Sequence, residues 1–248
     1  MRILLTNDDG IKGEGLRLLA EWSLKLGEVV IAAPKEEQSG KSMSIDIHGA
    51  YEIKKNDAFS DLGIEAYVVD STPADCVRFA EDRLGHFDMV FSGINIGVNL
   101  GHDIAYSGTC AAAFEANCTG IPSVAFSTEP GCIATAAGKL DELWAYMTER
   151  KVFDYALMYN VNIPHDPQGV VLVSTGGPYF RDHILPVGKD LYMADYYVPY
   201  RKEEHPKIET DLDAFFNGLC SITPMTIDRT DYAALRKLQN LNVPGAGQ

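Results

Sequence analysis

Two neighbouring carboxylates are the first residues of this sequence whose types suggest chemistry. Asp8 and Asp9 directly follow a short apolar run at residues 2–6. Adjacent like charges raise the free energy of a fold unless hydrogen bonds or a cation compensate them, and a bound metal ion is the simplest compensation. A turn that caps a following helix is the alternative, because Asp and Gly are both common in turns.

Two further polar loops follow apolar runs of the same kind. Residues 34–42 contain Ser39 and Gly40, which could also belong to a plain solvated connection. Residues 92–103 are dense in glycine and asparagine. These are Gly93, Gly97, Gly101, Asn95 and Asn99. Glycine lets the backbone approach a ligand closely and the asparagine carbonyl is a hard oxygen ligand, so this loop indicates a binding site.

Small polar residues precede a predicted helix over residues 108–117. Ser107 or Thr109 would cap its N-terminus, which is one interpretation. The exposed N–H groups around Gly108 at the positive helix end also suit a phosphate, which is the other. Both interpretations can hold together.

The sequence lacks the fingerprints of other nucleotide-handling and catalytic sites. Residues 7–15 carry two carboxylates where a dinucleotide site needs G-x-G-x-x-G, and neither a P-loop nor a G-x-S-x-G elbow is present. The six histidines are scattered without an i,i+4 pair that would suit zinc. His102 is the histidine that lies beside the candidate loops.

Apolar runs alternate with helical patterns over the first 175 residues, and the start of one helix is marked by Thr72 as N-cap and Pro73 at the first helical position. Predicted strands lie at 2–6, 28–33, 66–69, 88–91, 123–126 and 170–174, and predicted helices at 16–26, 72–85, 108–117 and 132–150. The alternation predicts an α/β fold with three layers, a Rossmann-like, mostly parallel sheet with helices on both faces. Ligands bind beyond the carboxyl ends of such strands, where all three polar loops lie.

The alternation of strand and helix patterns ends after about residue 176. Residues 190–200 are rich in Tyr, Met and Val and predict an extended hairpin or arm. Near the end, four apolar residues at helical spacing could dock on the chain's own core or on a partner. They are Tyr232, Leu235, Leu238 and Leu241. We expect one domain over 1–248, with a core of about 1–175, a hairpin arm of about 176–204 and a C-terminal return and helix of about 205–248.

The composition of the chain limits the classes of partner that we expect it to bind. Thirty-five acidic against 21 basic residues give a formal charge of −14 without a Lys/Arg cluster, so we expect no nucleic-acid polymer as a partner. No apolar run approaches the roughly 20 residues that cross a bilayer, and the first run is too short for a signal peptide, which predicts a cytoplasmic protein without a membrane partner. Five cysteines without a CxxC pair predict buried, reduced thiols. A phosphate site in so acidic a chain needs local positive charge, such as a cation.

The ordered set of these segments resembles the SurE family of survival-protein nucleotidases. The matching segments span most of the chain. They are residues 3–11, 33–34, 38–40, 71–77, 92–103, 106–109, 120–123, 160–164, 210–211 and 221–224.

The resemblance implies one divalent cation per subunit, magnesium or manganese, with four oxygen ligands. On matching positions these are Asp8, Asp9, Ser39 and Asn95. It implies that Asp8, Asp9, Asn99 and Ser107 are catalytic and that the substrate is contacted by Gly40, Asn99, Ser107, Gly108 and Thr109. It also implies a homodimer or homotetramer in which the hairpin arm and the C-terminal segment interlock.

The predicted activity is hydrolysis of nucleoside 5'-monophosphates, with 3'-monophosphates as further candidates, to nucleoside and phosphate. In this hypothesis the cation binds a phosphate oxygen and activates a water, which Asp8 or Asp9 orients for in-line attack. An aspartyl-phosphate intermediate is the alternative route. The rival function is a metal-dependent nucleotide sensor without turnover. A third alternative is an oxidoreductase or transferase with the same sheet, and the absence of a dinucleotide-binding fingerprint from this sequence counts against it.

Overall fold

Alternating strands and helices build a central sheet in the computed structural model, which describes residues 1–239. The strands are β1 (Arg2–Thr6), β2 (Glu28–Pro34), β3 (Ile53–Asn56), β4 (Glu65–Val69), β5 (Met89–Ile96), β6 (Ser123–Thr128), β7 (Met158–Ile163), β8 (Val170–Leu172), β9 (Arg181–Gly188), β10 (Leu191–Tyr197) and β11 (Cys220–Met225). The helices are α1 (Glu14–Ser23), α2 (Pro73–Arg83), α3 (Gly108–Cys118), α4 (Ile133–Glu149), α5 (Asp211–Phe216) and α6 (Tyr232–Gln239).

Within the described residues the main sheet has nine strands in the order β3-β4-β2-β1-β5-β6-β7-β11-β8. The pairs from β4 through β7 are parallel, while β3 and β11 each run antiparallel to a neighbour. The chain builds outward from β1 through β2 to β4, then restarts at β5 on the other side of β1. The order therefore reverses between β1 and β5, which is the place where open α/β sheets bind ligands.

The central strands β1, β2, β5 and β6 are buried on both faces, which explains their continuous apolar sequences. Ile3 and Leu5 of β1 point to a cluster that includes Trp22 of α1, whereas Leu4 points to the opposite cluster with Val77 of α2. The predicted three-layer, mostly parallel α/β architecture is thereby confirmed.

Several boundaries differ from the prediction. The helix α1 ends at Ser23 rather than near residue 26, because residues 24–27 form the turn into β2, in which the Leu26 N–H donates to the Ser23 carbonyl. The patterns did not predict β3, β7, β11 or α5 as elements. Four of the five cysteines are buried as predicted, but Cys118 is exposed.

The predicted hairpin is formed by β9 and β10, which pair antiparallel with each other. Its residues are exposed throughout. Tyr232, Leu235 and Leu238 are exposed on α6 rather than docked on the core, and Leu241 lies outside the described residues. None of the described helices has the length and apolar character needed to cross a bilayer.

Candidate active site

The carboxyl ends of β1, β2 and β5 lie side by side, so the three polar loops that follow them start at one edge of the sheet. Asp8 lies two residues after the end of β1 and is 3% exposed. The Gln38 N–H from the loop after β2 donates to the Asp8 carbonyl at 2.8 Å. The second loop is therefore fastened to the first at the candidate site.

The N-terminus of α3 lies against Asp8. The Ser107 hydroxyl accepts the Cys110 N–H at 3.0 Å and caps the helix. The Thr109 hydroxyl donates to Asp8 Oδ1 at 2.7 Å. A Cβ on Gly108 would lie 2.8 Å from Asp8 Cβ, so only glycine permits this approach. The positive helix end thus partly compensates the Asp8 carboxylate.

This arrangement refines the predicted contact between Thr109 and phosphate. A hydroxyl has one proton to donate, and that of Thr109 goes to Asp8. The Thr109 hydroxyl also accepts from Asn99 Nδ2 at 3.4 Å. The backbone N–H of Thr109 also stabilises the Asp8 carboxylate, so both donors of Thr109 serve Asp8, and a phosphate contact would require one of them to be exchanged.

Asp9 lies near the carboxyl end of β5, the strand that carries Asn95. The backbone N–H of Ile96, next to Asn95 at the end of β5, stabilises the Asp9 carboxylate. Asn95 Nδ2 donates to the Gly97 carbonyl at 2.7 Å. Its Oδ1, the atom that could bind a cation, accepts no hydrogen bond from residues 1–239.

Ser39, in the loop after β2, makes no side-chain hydrogen bond to the other candidate site residues within residues 1–239. Ser39 is exposed, and its hydroxyl donates to Glu37 Oε1 at 2.6 Å rather than contacting either aspartate. Gly40 is also exposed and takes a positive φ of 70°. To join a shared cation, the Ser39 hydroxyl would have to exchange its bond to Glu37.

Burial raises the pKa of both aspartates. For Asp8 the hydrogen bond from Thr109 opposes the effect of burial. The pKa of Asp9 rises to about 6, first through burial and then through the charge of Asp8. Within residues 1–239, the charges that influence this pair come from acidic neighbours, not from Lys or Arg. No Lys or Arg of the described part of the chain therefore stands among the largest influences on the pKa of the buried Asp8 or the half-buried Asp9.

These residues fit a hard divalent cation. Asp9 Oδ2 is buried and has no hydrogen-bond partner among the described residues, so it is an oxygen that a cation would satisfy. Carboxylate, hydroxyl and amide oxygens suit magnesium or manganese better than zinc. Residues 1–239 contain no group of three or more His, Cys, Asp and Glu arranged to hold a metal, so the neutral oxygens of Ser39 and Asn95 would be needed.

The sequence matches the model of a known family, described as "Survival protein SurE", over residues 3–177. The chain belongs to the SurE family. This SurE chain is 38% identical to 5'-nucleotidase SurE 1 of Thermus thermophilus, in a match that covers 97% of this chain and 98% of the relative. It is 35% identical to 5'-nucleotidase SurE of a Vibrio cholerae strain, with 97% of both chains covered. The crystal structure of the SurE protein from Aquifex aeolicus matches with a TM-score of 0.78 at 29% identity, over 98% of this chain and all of that one.

A cavity of about 810 Å³ opens beside the SurE site. Gly40, His102 and Tyr106 line one side, and the base of the hairpin lines the other through residues that include Phe180 and Arg181. The Ser42 N–H donates to the Tyr106 carbonyl at 3.0 Å, which connects the loop after β2 to the segment before α3. His102, which the sequence placed beside the site, is therefore at its mouth.

Sequence reasoning missed a set of buried polar side chains that contact Asn99. Ser127 of β6 accepts from Asn99 Nδ2 at 2.7 Å, and two asparagines of β7 bind the Asn99 backbone. The available signal was the pair Asn160 and Asn162, two amides in a strand whose other residues are largely apolar. Polar residues inside a buried strand need hydrogen-bond partners, and here the partner belongs to the site.

Proposed function

We propose that this SurE chain hydrolyses nucleoside 5'-monophosphates to nucleoside and phosphate with the help of one divalent cation. The observation that carries this proposal is the adjacent pair of the buried Asp8, which lies against the N-terminus of α3, and the half-buried Asp9, which has an unpartnered buried oxygen. The relatives named 5'-nucleotidase SurE match over nearly their whole length, which supports the same activity here.

Asp8, Asp9, Ser39 and Asn95 are the proposed cation ligands, and magnesium or manganese is the proposed metal. When bound, the cation supplies positive charge for the phosphate oxygens and activates water for attack. Asp8 is held by Thr109 and Asp9 by the Ile96 N–H, so both carboxylates are oriented before the substrate arrives. Such preorganisation lowers the cost of reaching the transition state.

The proposed phosphate contacts come from residues around α3 and the loop after β5. They are Gly40, Asn99, Ser107, Gly108 and Thr109. The N–H of Gly108, at the first position of α3, suits an equatorial phosphate oxygen because it lies at the positive helix end, whereas the N–H groups of Thr109 and Cys110 already serve Asp8 and Ser107. Ser107 acts as a catalytic residue by holding the equatorial oxygens through its hydroxyl proton. Asn99 does so by exchanging its long 3.4 Å bond to Thr109 Oγ1 for a phosphate oxygen, while Asp8 or Asp9 orients the attacking water.

The nucleoside is proposed to occupy the cavity beside the site. Its lining offers the exposed ring of Tyr106 and the ring of Phe180 for stacking, and Arg181 as a hydrogen-bond donor. Aromatic rings accept any base, so this lining supports nucleotides as a class rather than one base. Assays with 3'-monophosphates decide whether that phosphate position is also used.

The central test is phosphate release from AMP with manganese, with and without chelator, for wild type, Asp8→Asn and Asn95→Ala. Both variants are expected to lose about 100-fold or more in kcat, because each removes a preorganised oxygen from the site. Asp82→Asn, an exposed aspartate on α2, is the matched control and should keep full activity. Full activity in Asp8→Asn would refute the proposed role of the pair.

The same assay separates the rival functions. A nucleotide sensor would bind AMP and manganese without releasing phosphate. An oxidoreductase would carry a cofactor with its own absorption spectrum in the purified protein. Acid-quench trapping of labelled protein would reveal an aspartyl phosphate if a carboxylate, rather than water, attacks phosphorus.

A homodimer or homotetramer is also proposed, with the hairpin β9–β10 as the contact arm. The hairpin exposes several large apolar side chains, which supports burial against a second copy. They include Ile184, Val187, Leu191, Tyr192 and Tyr196. Light scattering of the wild type and of a hairpin variant with Ile184→Asp and Tyr196→Asp tests this, since a monomeric wild type would contradict it. A cytoplasmic location is proposed as well, supported by five unpaired cysteines within residues 1–239.

A further inference from the structure

We infer that Asn160 and Asn162 of β7 are positioning residues that hold Asn99 in place for the proposed phosphatase reaction, on which this inference rests. Asn162 Oδ1 accepts the Asn99 N–H at 2.7 Å, and Asn162 Nδ2 donates to the Asn99 carbonyl at 2.9 Å. Asn160 Nδ2 donates to the same carbonyl at 2.8 Å. Both backbone polar groups of Asn99, its N–H and its carbonyl, are thus bound by side chains from one strand.

Asparagine stands at these positions of β7 because the loop after β5 lacks backbone hydrogen-bond partners. Beyond the end of β5, at Ile96, Asn99 no longer has a strand neighbour to pair its N–H and carbonyl. A primary amide carries one acceptor and two donors in a plane, so Asn162 imitates the missing strand. Both asparagines are fully buried, where an unpaired amide would be costly. Their hydrogen bonds to Asn99 explain why β7 tolerates them.

The hydrogen bonds continue from Asn99 to the carboxylate pair. Asn99 Nδ2 donates to Ser127 Oγ at 2.7 Å and to Thr109 Oγ1 at 3.4 Å. Thr109 then donates to Asp8. Asn160 and Asn162 contact neither aspartate within the described residues. Both act through Asn99, and Asn160 Oδ1 also accepts a long bond from the Cys110 thiol of α3 at 3.5 Å. Their loss should disturb phosphate stabilisation more than cation binding.

The number of hydrogen bonds sets the expected order of effects. Asn162→Leu removes two bonds and leaves a buried N–H on Asn99 without a partner, so kcat for AMP should fall by about 10- to 100-fold, the scale of a small misplacement. Asn160→Ala removes one of the two donors to the Asn99 carbonyl, which Asn162 still serves, and a long bond from the Cys110 thiol, so its loss should be smaller. The double variant takes both donors from that carbonyl, and its loss should exceed the product of the single losses.

Ser221→Ala is the matched control. Ser221 lies on β11 directly opposite Asn162, is equally buried, and its hydroxyl has no hydrogen-bond partner among residues 1–239. This variant should keep the wild-type kcat. A comparable loss in Ser221→Ala would show that general packing, rather than the bonds to Asn99, is responsible, and would overturn the inference.

The experiment measures kcat and KM for AMP, and by calorimetry the affinities for manganese and for inorganic phosphate in the presence of manganese. In Asn162→Leu we expect a lower kcat and weaker phosphate binding with manganese affinity unchanged. A folded Asn162→Leu with wild-type kcat and phosphate affinity would overturn the inference. If Asn162→Leu does not fold, Asn160→Ala decides, because wild-type values there would remove the role of its bond. If wild type releases no phosphate, the proposed function fails, and the calorimetric affinities still test the positioning.

Discussion

The close contact between α3 and Asp8 makes Gly108→Ala a sharp test of the site. The added Cβ would lie 2.8 Å from Asp8 Cβ, 3.1 Å from Oδ2 and 3.3 Å from Cγ. Ordinary carbon contacts are about 3.5 to 4.0 Å, so the carboxylate or the helix end must move by about 1 Å. A displacement of that size in a catalytic group costs about 100-fold in rate.

Stability and activity should separate in this variant. Overpacking costs about 1–3 kcal/mol, and the better helix propensity of alanine returns up to about 1 kcal/mol. The net change should lower Tm by only a few degrees, since about 1 kcal/mol shifts Tm by about 2–4 °C in a chain of this size. We therefore expect a folded protein with about 100-fold lower kcat/KM for AMP in the presence of manganese.

Gly138→Ala is the matched control for Gly108→Ala. Gly138 lies within α4, and a Cβ there would meet nothing within 4 Å. This substitution should stabilise the protein by up to about 1 kcal/mol and leave kcat/KM unchanged. Wild-type kcat/KM in Gly108→Ala, measured beside this control, would refute the argument that Asp8 must stay in its place against α3.

Three further substitutions test separate contacts. Thr109→Val removes the hydroxyl donor to Asp8 and should lower kcat by about 10-fold or more, since a hydrogen bond to a charged group contributes about 1.5–3 kcal/mol. Thr109→Ser keeps the hydroxyl and should keep most of the activity. Equal kcat in the two variants would contradict the role of this hydrogen bond. Tyr106→Ala should raise KM for AMP about 10-fold through lost stacking and leave KM for glycerol phosphate unchanged, and parallel changes for both substrates would argue against a nucleoside in the cavity. Thr210→Ala breaks the capping box with Asp213 and should lower stability by about 1 kcal/mol in denaturant titrations without changing kcat.

The parallel core could be predicted because its strands are buried on both faces and read as apolar runs. The edge strand β3 could not, because it contains Lys54 and Lys55 and pairs with one neighbour only, so its side chains are largely exposed. The helix α5 has six residues, too few for a clear periodicity, and depends on its cap at Thr210. Elements that rely on tertiary contacts rather than on their own pattern were missed.

The strand β7 shows how function can hide an element. A strand buried on both faces normally reads as continuous apolar residues. Here Asn160 and Asn162 interrupt that pattern because they bind Asn99, which lies 61 and 63 positions earlier in the chain. Local sequence patterns cannot predict a hydrogen-bond partner that lies so far away in the chain.

For the site, the rule that ligands bind beyond the carboxyl ends of parallel strands correctly predicted that the three polar loops are neighbours. The individual bonds could not be predicted, since the Thr109 contact to Asp8 spans 101 positions and depends on how closely α3 approaches. The role of Ser39 stays a prediction, because its hydroxyl contacts Glu37 in the structure.

The charge balance of the site leads to a last prediction about the order of binding. The chain carries a formal charge of −14, and the charges acting on Asp8 and Asp9 within the described residues are acidic. A phosphate would therefore meet two carboxylates with only the end of α3 as positive compensation. Inorganic phosphate should bind measurably by calorimetry with manganese present and not in the presence of chelator.

Binding linkage makes this prediction testable from both sides. If manganese raises the affinity for phosphate by some factor, phosphate must raise the affinity for manganese by the same factor. Asp9→Asn removes one negative charge and replaces a proposed carboxylate ligand with a neutral amide, so it should weaken the manganese dependence of phosphate binding. Equal phosphate affinity with manganese and with chelator in the wild type would mean that α3 alone balances the phosphate charge, and the carboxylate pair would then need another explanation.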